Sequence, residues 1–412
     1  MQQELSQSRS DPSPIPASSG DAGLPHCVLY ATSARIGGSG LSGVAYESLK
    51  GVHGAGILGR AIAYDQHQAA LPSRLIRSLR WHPVRLLSGL ASPYYYGAKR
   101  QYVDWIASRE LARGGYDLFH GWSGDALLTL RQARREGIPS VLEIPTWHRN
   151  KGKRKPWMTR GEKEAADGPL PGRLLRHLLV NRQRVLEEYE LADVVLVLSQ
   201  KAIETFEAVG FPTERLFKLE RGVDVTRFTP APPPPVFRVI FVGALIRRKG
   251  VHHLLEAWHR LNLKEAELVL VGSVHEEMKP YLQQYAHPSV RVTGFARRPE
   301  ELYRQASLHV LPSTCEGSAK TTYEAAASGL AQIATRESGD VVRDGENGWI
   351  IPANDVDALA EALRSAYDWP DRRAEMGRAA RRLMEERYTW DHFRARLLEA
   401  YRLAVARAGK SA

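Results

Sequence analysis

Leu311-Pro312-Ser313-Thr314-Cys315-Glu316-Gly317-Ser318-Ala319-Lys320-Thr321-Thr322-Tyr323-Glu324-Ala325 is the stretch that decides the fold. An apolar run, 308–311, leads into it, and Pro312 ends that run because proline has no amide hydrogen to give a ladder. From Ser318 the residues suit a helix that stops near Gly329. Strand, loop and helix N-terminus in that order place Glu316 at the carboxyl end of a strand, where open α/β sheets bind ligands. Unpaired amide hydrogens of the first helical turn face the same crevice and suit a phosphate or an anionic sugar substituent. Glu324, with seven residues between it and Glu316, falls on the helix. Alone, two glutamates read as surface carboxylates, since Glu is mostly exposed.

The surrounding sequence changes that reading. Upstream of the pair, short apolar runs at 237–242, 267–272, 290–293 and 308–311 alternate with helical patterns at 252–261, 276–285 and 299–305. Such βα alternation implies a parallel, doubly wound sheet. Further helices are expected at 356–367, 372–387 and 390–406. The first run ends in Val242-Gly243-Ala244, followed by Arg247-Arg248-Lys249-Gly250. Before it stand Gly222-Val223-Asp224, Phe228 and Pro230, then a proline-rich surface spacer at 230–235. Gly339, Asp344-Gly345 and Gly348 follow the helix that carries Glu324.

The ordered series resembles the retaining glycosyltransferases of family 4, and the likeness is strongest over about 190–390. Glu316 and Glu324 match the family's E-x7-E element. Gly243 with Lys249 matches its glycine turn and Lys-Gly segment, and 222–230 matches its Gly-Val-Asp-x-x-x-Phe-x-Pro signature. The resemblance implies the α/β GT-B fold, two Rossmann-like doubly wound domains facing across a cleft. It divides the chain into a tail (1–24), an acceptor domain (25–216) completed by a C-terminal helix (391–412), and a nucleotide-sugar domain (217–390). It also implies a hexosyltransferase-type enzyme, retention of anomeric configuration, a nucleoside-diphosphate sugar as co-substrate and no required metal or other cofactor.

By the same resemblance, Lys249, with Arg248 or Arg247, meets the donor diphosphate, and Gly243 allows close approach. Glu324 accepts hydrogen bonds from the donor ribose, and Glu316 lies beside the transferred sugar. Gly317, Ser318, Ala319, Lys320 and Thr321 offer backbone N–H groups to sugar and phosphate. Many relatives have Arg at position 244, and Phe and Gly at 318 and 319. His148, at the end of an apolar run over 139–144, matches a histidine near the reacting sugar; His120 reads as structural. The acceptor implied is a glycan or lipid-linked molecule of cell-surface polysaccharide or glycoconjugate biosynthesis.

The first half begins with a strand at 26–31 followed by Gly38-x-Gly40-x-x-Gly43, with Asp65 after the next apolar run. That pattern is also a dinucleotide fingerprint. It leaves open an NAD- or FAD-binding oxidoreductase, whereas the resemblance places Gly38 against donor or acceptor. A nucleotide-sugar-binding module without catalysis is a third reading. Between 71 and 100, arginines alternate with apolar and aromatic residues, fitting a basic amphipathic helix on an anionic membrane or an ordinary packed helix. A basic loop is expected over 151–172, a helix over 174–190, and a strand over 192–199 that closes the first sheet, with the second domain starting near Phe217.

With 412 residues the chain is long enough for two domains, and 25% charged against 43% apolar residues marks it as globular. Residues 1–22 are Ser-, Pro- and Gln-rich and read as disordered. Two cysteines, Cys27 and Cys315, exclude a disulfide framework; they read as buried free thiols in a reducing, cytoplasmic setting. No run approaches the roughly 20 apolar residues of a membrane span. The net charge of +11 is spread over both halves, which argues for a diffuse attraction to anionic substrate or membrane surface and against a nucleic-acid stripe.

Overall fold

The computed structural model of the chain describes residues 23–38, 40–81, 83–84, 92–149 and 182–411. The tail over 1–22, the basic segment 151–172 and the first part of the helix expected at 174–190 lie outside the described residues. The first sheet holds β1 (Val28–Ile36), β2 (Leu58–Gln66), β3 (Ile76–Ser78), β4 (Leu118–Trp122), β5 (Ser140–Glu143), β6 (Val194–Val197) and β7 (Leu216–Lys218), in spatial order 3-2-1-4-5-6-7. The second holds β8 (Phe237–Val242), β9 (Ala266–Val271), β10 (Val290–Gly294), β11 (Leu308–Leu311), β12 (Ala331–Thr335) and β13 (Gly348–Ile351), in order 10-9-8-11-12-13. Every pairing between these strands is parallel.

Parallel sheets are buried on both faces, and the strands show it by dividing their side chains between two cores. In β1, Val28 and Tyr30 enter one cluster while Leu29 and Ala31 enter another. In β8, Val239 and Phe241 face one side, Ile240 and Val242 the other. Helices α1 (Leu41–Gly54), α2 (Ser92–Leu111), α3 (Leu127–Glu136), α4 (Arg182–Leu191) and α5 (Gln200–Glu207) accompany the first sheet. Helices α6 (Val251–Leu261), α7 (Lys279–Gln284), α8 (Pro299–Tyr303), α9 (Lys320–Ala327), α10 (Val356–Asp368) and α11 (Pro370–Arg387) accompany the second. The last, α12 (Trp390–Ser411), returns to the first domain. Its Phe393, Leu397, Ala400 and Tyr401 are buried in a core of the first sheet, and Arg394 bonds Glu47 of α1.

The chain crosses between the domains at two adjacent places. Leu219 belongs to the first core and Val223 to the second; Tyr388 belongs to the second and Phe393 to the first. There the Val223 N–H donates to the Tyr388 carbonyl at 2.8 Å. Gly222 abuts Trp390 so closely that a Cβ would lie 2.6 Å from the indole. Elsewhere the domains meet through Lys218 Nζ and Asp340 (3.2 Å), the Gln200 N–H and Asp340 (2.7 Å), and Arg336 and Glu204 (3.2 Å).

Several expectations are corrected. Of the stretch 71–100, read as a helix, only short 3-10 turns (Ser73–Leu75 and 83–84) and the start of α2 from Ser92 are helical among the described residues; Ile76 and Leu79 are buried, and β3 pairs Ile76 with Ala61 and Ser78 with Ala63. A strand's alternation, with short edge pairing to β2, overrides the helical spacing of arginines there. The first sheet does not close at β6; β7 adds an edge strand, so the division expected at 216/217 falls inside a strand of the first sheet. β12 and β13, unread in the sequence, extend the second sheet beyond β11. Both cysteines are free but partly exposed, not buried.

Candidate active site

The carboxyl ends of β8 and β11 are neighbours, because these strands pair. The loop after β11 is tied to the loop after β8 by three donors on one carbonyl. The Thr314 N–H (2.9 Å), Thr314 Oγ1 (3.0 Å) and Ser313 Oγ (3.2 Å) all donate to the oxygen of Arg248. This clasp fixes Glu316 beside Arg248 and Lys249. Glu316 Oε1 lies 2.8 Å from Arg248 Nη1 and 3.0 Å from Lys249 Nζ, and at 3.2 Å it shares the one Ser313 hydroxyl hydrogen with the Arg248 carbonyl. Arg248 also donates to the Cys315 carbonyl, so it is held within the same loop. Burial alone would push the Glu316 carboxyl up, but Lys249 and Arg248 outweigh it and hold the group below its ordinary range, hence ionised. Cys315, beside it, is pushed up to about 11 by burial and is a neutral thiol.

Gly243 ends β8 with φ +144°, and a Cβ there would stand 3.2 Å from the Lys249 side chain. Glycine therefore lets the lysine lie across the strand end on its way to Glu316. Gly317 approaches the first domain so closely that a Cβ would lie 2.2 Å from the Pro145 carbonyl oxygen. The loop that carries Glu316 is thus seated against the carboxyl end of β5.

Ala319 precedes α9 and offers no side-chain cap, so the first-turn N–H groups of Lys320 and Thr321 lack intrahelical acceptors. The Ser318 side chain turns inward to Tyr323 (Oγ to hydroxyl 2.9 Å), and Ala319 is buried. What this tract can present to a ligand is backbone. Glu324 is 3% exposed; Lys320 Nζ lies 2.5 Å from its Oε1, and the Tyr303 hydroxyl donates to its Oε2 at 3.3 Å. A ligand hydroxyl reaching Glu324 shares it with the Lys320 ammonium.

Glu316, Arg248, Lys249, Gly243, Gly317 and the start of α9 therefore come together. His148 is not in that ion-paired cluster. It is 5% exposed, with its ring 4.6 Å from Phe206 and 5.1 Å from Tyr189, and burial, with Arg182 next, lowers its pKa to about 4. Gly38 stands in the loop before α1 with φ +103°. Asp65, the acid of the dinucleotide pattern, is buried with Arg35 3.5 Å away. His120 hydrogen-bonds Tyr401 of α12 at 2.8 Å, within the first domain's core. Among the described residues no group of three or more His, Cys, Asp or Glu side chains is placed to hold a metal.

Arg221 was not read from the sequence. It precedes the Gly-Val-Asp turn at the interdomain crossing and is 8% exposed; its Nε is buried without a hydrogen-bond partner. Burial lowers its pKa, while Glu143 of the first domain and Tyr323 and Glu316 of the second oppose that. The available signal was a charged residue immediately before a turn that otherwise reads as structural.

Residues 236–368 match the family model described as Glycosyl transferases group 1. The chain is 31% identical over 253 residues to the alpha-maltose-1-phosphate synthase of Mycolicibacterium smegmatis, covering 53% of this chain and 65% of that protein. The curated relatives first matched are spanned over 48% to 65% of their own length, less than two thirds. Among solved structures, sucrose-phosphate synthase from Thermosynechococcus elongatus superposes with a TM-score of 0.69 at 17% identity, over 91% of this chain and 98% of that one. Anabaena HepE, solved in complex with UDP-glucose, superposes with a TM-score of 0.62 at 16% identity, over 90% and 98%. The second domain thus carries the Glycosyl transferases group 1 match, and the two parallel sheets superpose on those of solved sugar-transfer enzymes, so the chain is similar to the GT-B glycosyltransferases of the family-4 type.

Proposed function

We propose that the chain is a retaining glycosyltransferase that moves a sugar from a nucleoside-diphosphate sugar to a glycan or lipid-linked acceptor in cell-surface polysaccharide or glycoconjugate synthesis, without a metal. One observation carries the reading: two cations, Lys249 and Arg248, converge on ionised Glu316 beside the uncapped start of α9. A departing diphosphate needs cations and oriented N–H donors, and this strand end supplies both. Lys249 and Arg248 shift from Glu316 to the diphosphate when donor binds. Glu316 then faces the anomeric carbon as positive charge develops there, while Glu324 orients the ribose. His148, neutral at neutral pH, lines the acceptor side. The UDP-glucose complex of HepE favours a sugar nucleotide over a dinucleotide here, as does the engagement of Asp65 by Arg35. A lipid-linked acceptor brings the basic first domain to an anionic membrane as a peripheral, cytoplasmic contact; no described helix is long and apolar enough to cross one.

A thermal-shift panel of UDP, GDP, ADP, NAD and FAD tests this, alongside release of nucleoside diphosphate from sugar donors. One nucleoside diphosphate at about 100 times its Kd should add about 2.7 kcal/mol of stability. Lys249→Ala should abolish that gain. Glu316→Gln should keep it and lower turnover by about 10²–10³-fold. A shift with NAD or FAD alone would overturn the reading in favour of an oxidoreductase. Nucleotide binding without turnover on any donor would leave a binding module.

A further inference from the structure

The second sheet has a cavity at the edge opposite the candidate active site. It has a volume of about 550 Å³ and lies where β8, β11 and β12 begin, between the 230–233 segment, α8, the end of α9 and α11. That volume is within the ordinary range of small-molecule sites, roughly 300–1,000 Å³. Its lining is largely apolar, with Pro230, Pro233 and the buried Leu330. Its rim is basic. Arg378 and Arg382 stand four residues apart on α11 and so share one face, and Arg304 at the end of α8 joins them.

Other arginines at this cavity have structural work. Arg381 donates to the carbonyls of Phe228, Val225 and Ala327, and Arg373 bonds the Ala366 carbonyl and lies over the Phe237 ring. Arg304, Arg378 and Arg382 are exposed, and among the described residues their guanidinium groups have neither an ion pair nor a hydrogen bond. Asp371 is the one carboxylate lining the cavity among the described residues. Three unpaired guanidinium groups on a cavity with a largely apolar lining match a ligand with a multiply charged oxyanion on one side and a compact body on the other. Arginine's planar fork suits phosphate oxygens in pairs.

We propose that this cavity binds a phosphate-bearing small molecule, separately from the sugar-nucleotide site. The placement gives the occupant a route to that site. Tyr303 lines the cavity, and its hydroxyl reaches Glu324 Oε2 at 3.3 Å. Ser328 and Gly329, also in the lining, follow the end of α9, the helix whose start lies beside Glu316.

The test is calorimetric titration of inorganic pyrophosphate into the full chain carrying Lys249→Ala, which disables the diphosphate position at the other edge. Binding should persist in that protein. Adding Arg378→Ala and Arg382→Ala should weaken it at least tenfold. Adding Arg134→Ala and Arg135→Ala instead, which removes the same charge from exposed positions on α3, should leave it unchanged. No binding to the Lys249→Ala protein, no loss with the α11 pair, or equal loss with both pairs each overturns the proposal. Because the readout needs neither a sugar donor nor turnover, its failure is separable from failure of the transferase reading. Glucose 6-phosphate titrated in parallel distinguishes a sugar phosphate, which should bind more tightly by contact with the proline side of the lining, from a bare diphosphate.

Discussion

Lys249 and Arg248 share one oxygen of Glu316, and the pair of side chains closest to burial, Lys249 and Glu316, are 14% and 15% exposed. Removing the lysine leaves a largely desolvated carboxylate with one cation instead of two. Lys249→Ala should therefore lower stability at pH 7 by about 1–3 kcal/mol, read as a shift in urea midpoint. The folded-state pKa of Glu316 is depressed, so its contribution is complete above its ordinary value of 4.5 and is lost as pH falls through the folded value. The acid limb of the stability curve should be shallower in the variant; curves that run parallel from pH 7 to pH 3 would refute the coupling. Glu316 and Lys249 were legible because each follows a strand end marked by glycine or proline, a feature of sequence order alone. Arg221 was not, because its significance lies in what surrounds it. Glu143 and Glu316, far away in the chain and in different domains, both act on it.

At the scale of elements, α3 begins under two carboxylates from its neighbours. Asp104 of α2 accepts from the Leu128 and Thr129 N–H groups at 2.8 and 2.9 Å, and Glu188 of α4 accepts from Gly124 and Ala126 at 2.6 and 3.1 Å. Burial pushes Asp104 up to about 6 and Glu188 up to about 8, against the hydrogen bonds that favour their ionised forms. Folded pKa values above the ordinary ones mean that the native state holds these protons more tightly than the unfolded chain. Stability should then fall as pH rises from about 5 through 8. Glu188→Gln, which retains one acceptor oxygen, should flatten that decline; urea midpoints at pH 5, 6.5 and 8 check it, and an unchanged slope would count against Glu188. The strands of the second sheet up to β11 were readable as apolar runs between helical patterns. β3 was not: three residues give too short a period to compete with the arginine spacing around them, and only its pairing to β2 reveals it. Residues that cap a helix from other helices, as Asp104 and Glu188 do, leave no local signature either.

At the scale of the molecule, the end of the chain completes its beginning. Leu397 is fully buried in the core that also holds Val28 and Leu118, so Leu397→Ala should cost about 2–5 kcal/mol. Hydrogen exchange should accelerate across β1 and β4 while β8 and β9 keep their protection; acceleration confined to the second sheet would contradict this packing. The two interdomain crossings lie side by side, joined by the hydrogen bond from Val223 to Tyr388. Two threads through one point make a knot, and the bond between Val223 and Tyr388 ties it. Parting the domains beside that knot has to break the Lys218–Asp340 pair, 3.2 Å apart, so this ion pair is the latch of the joint.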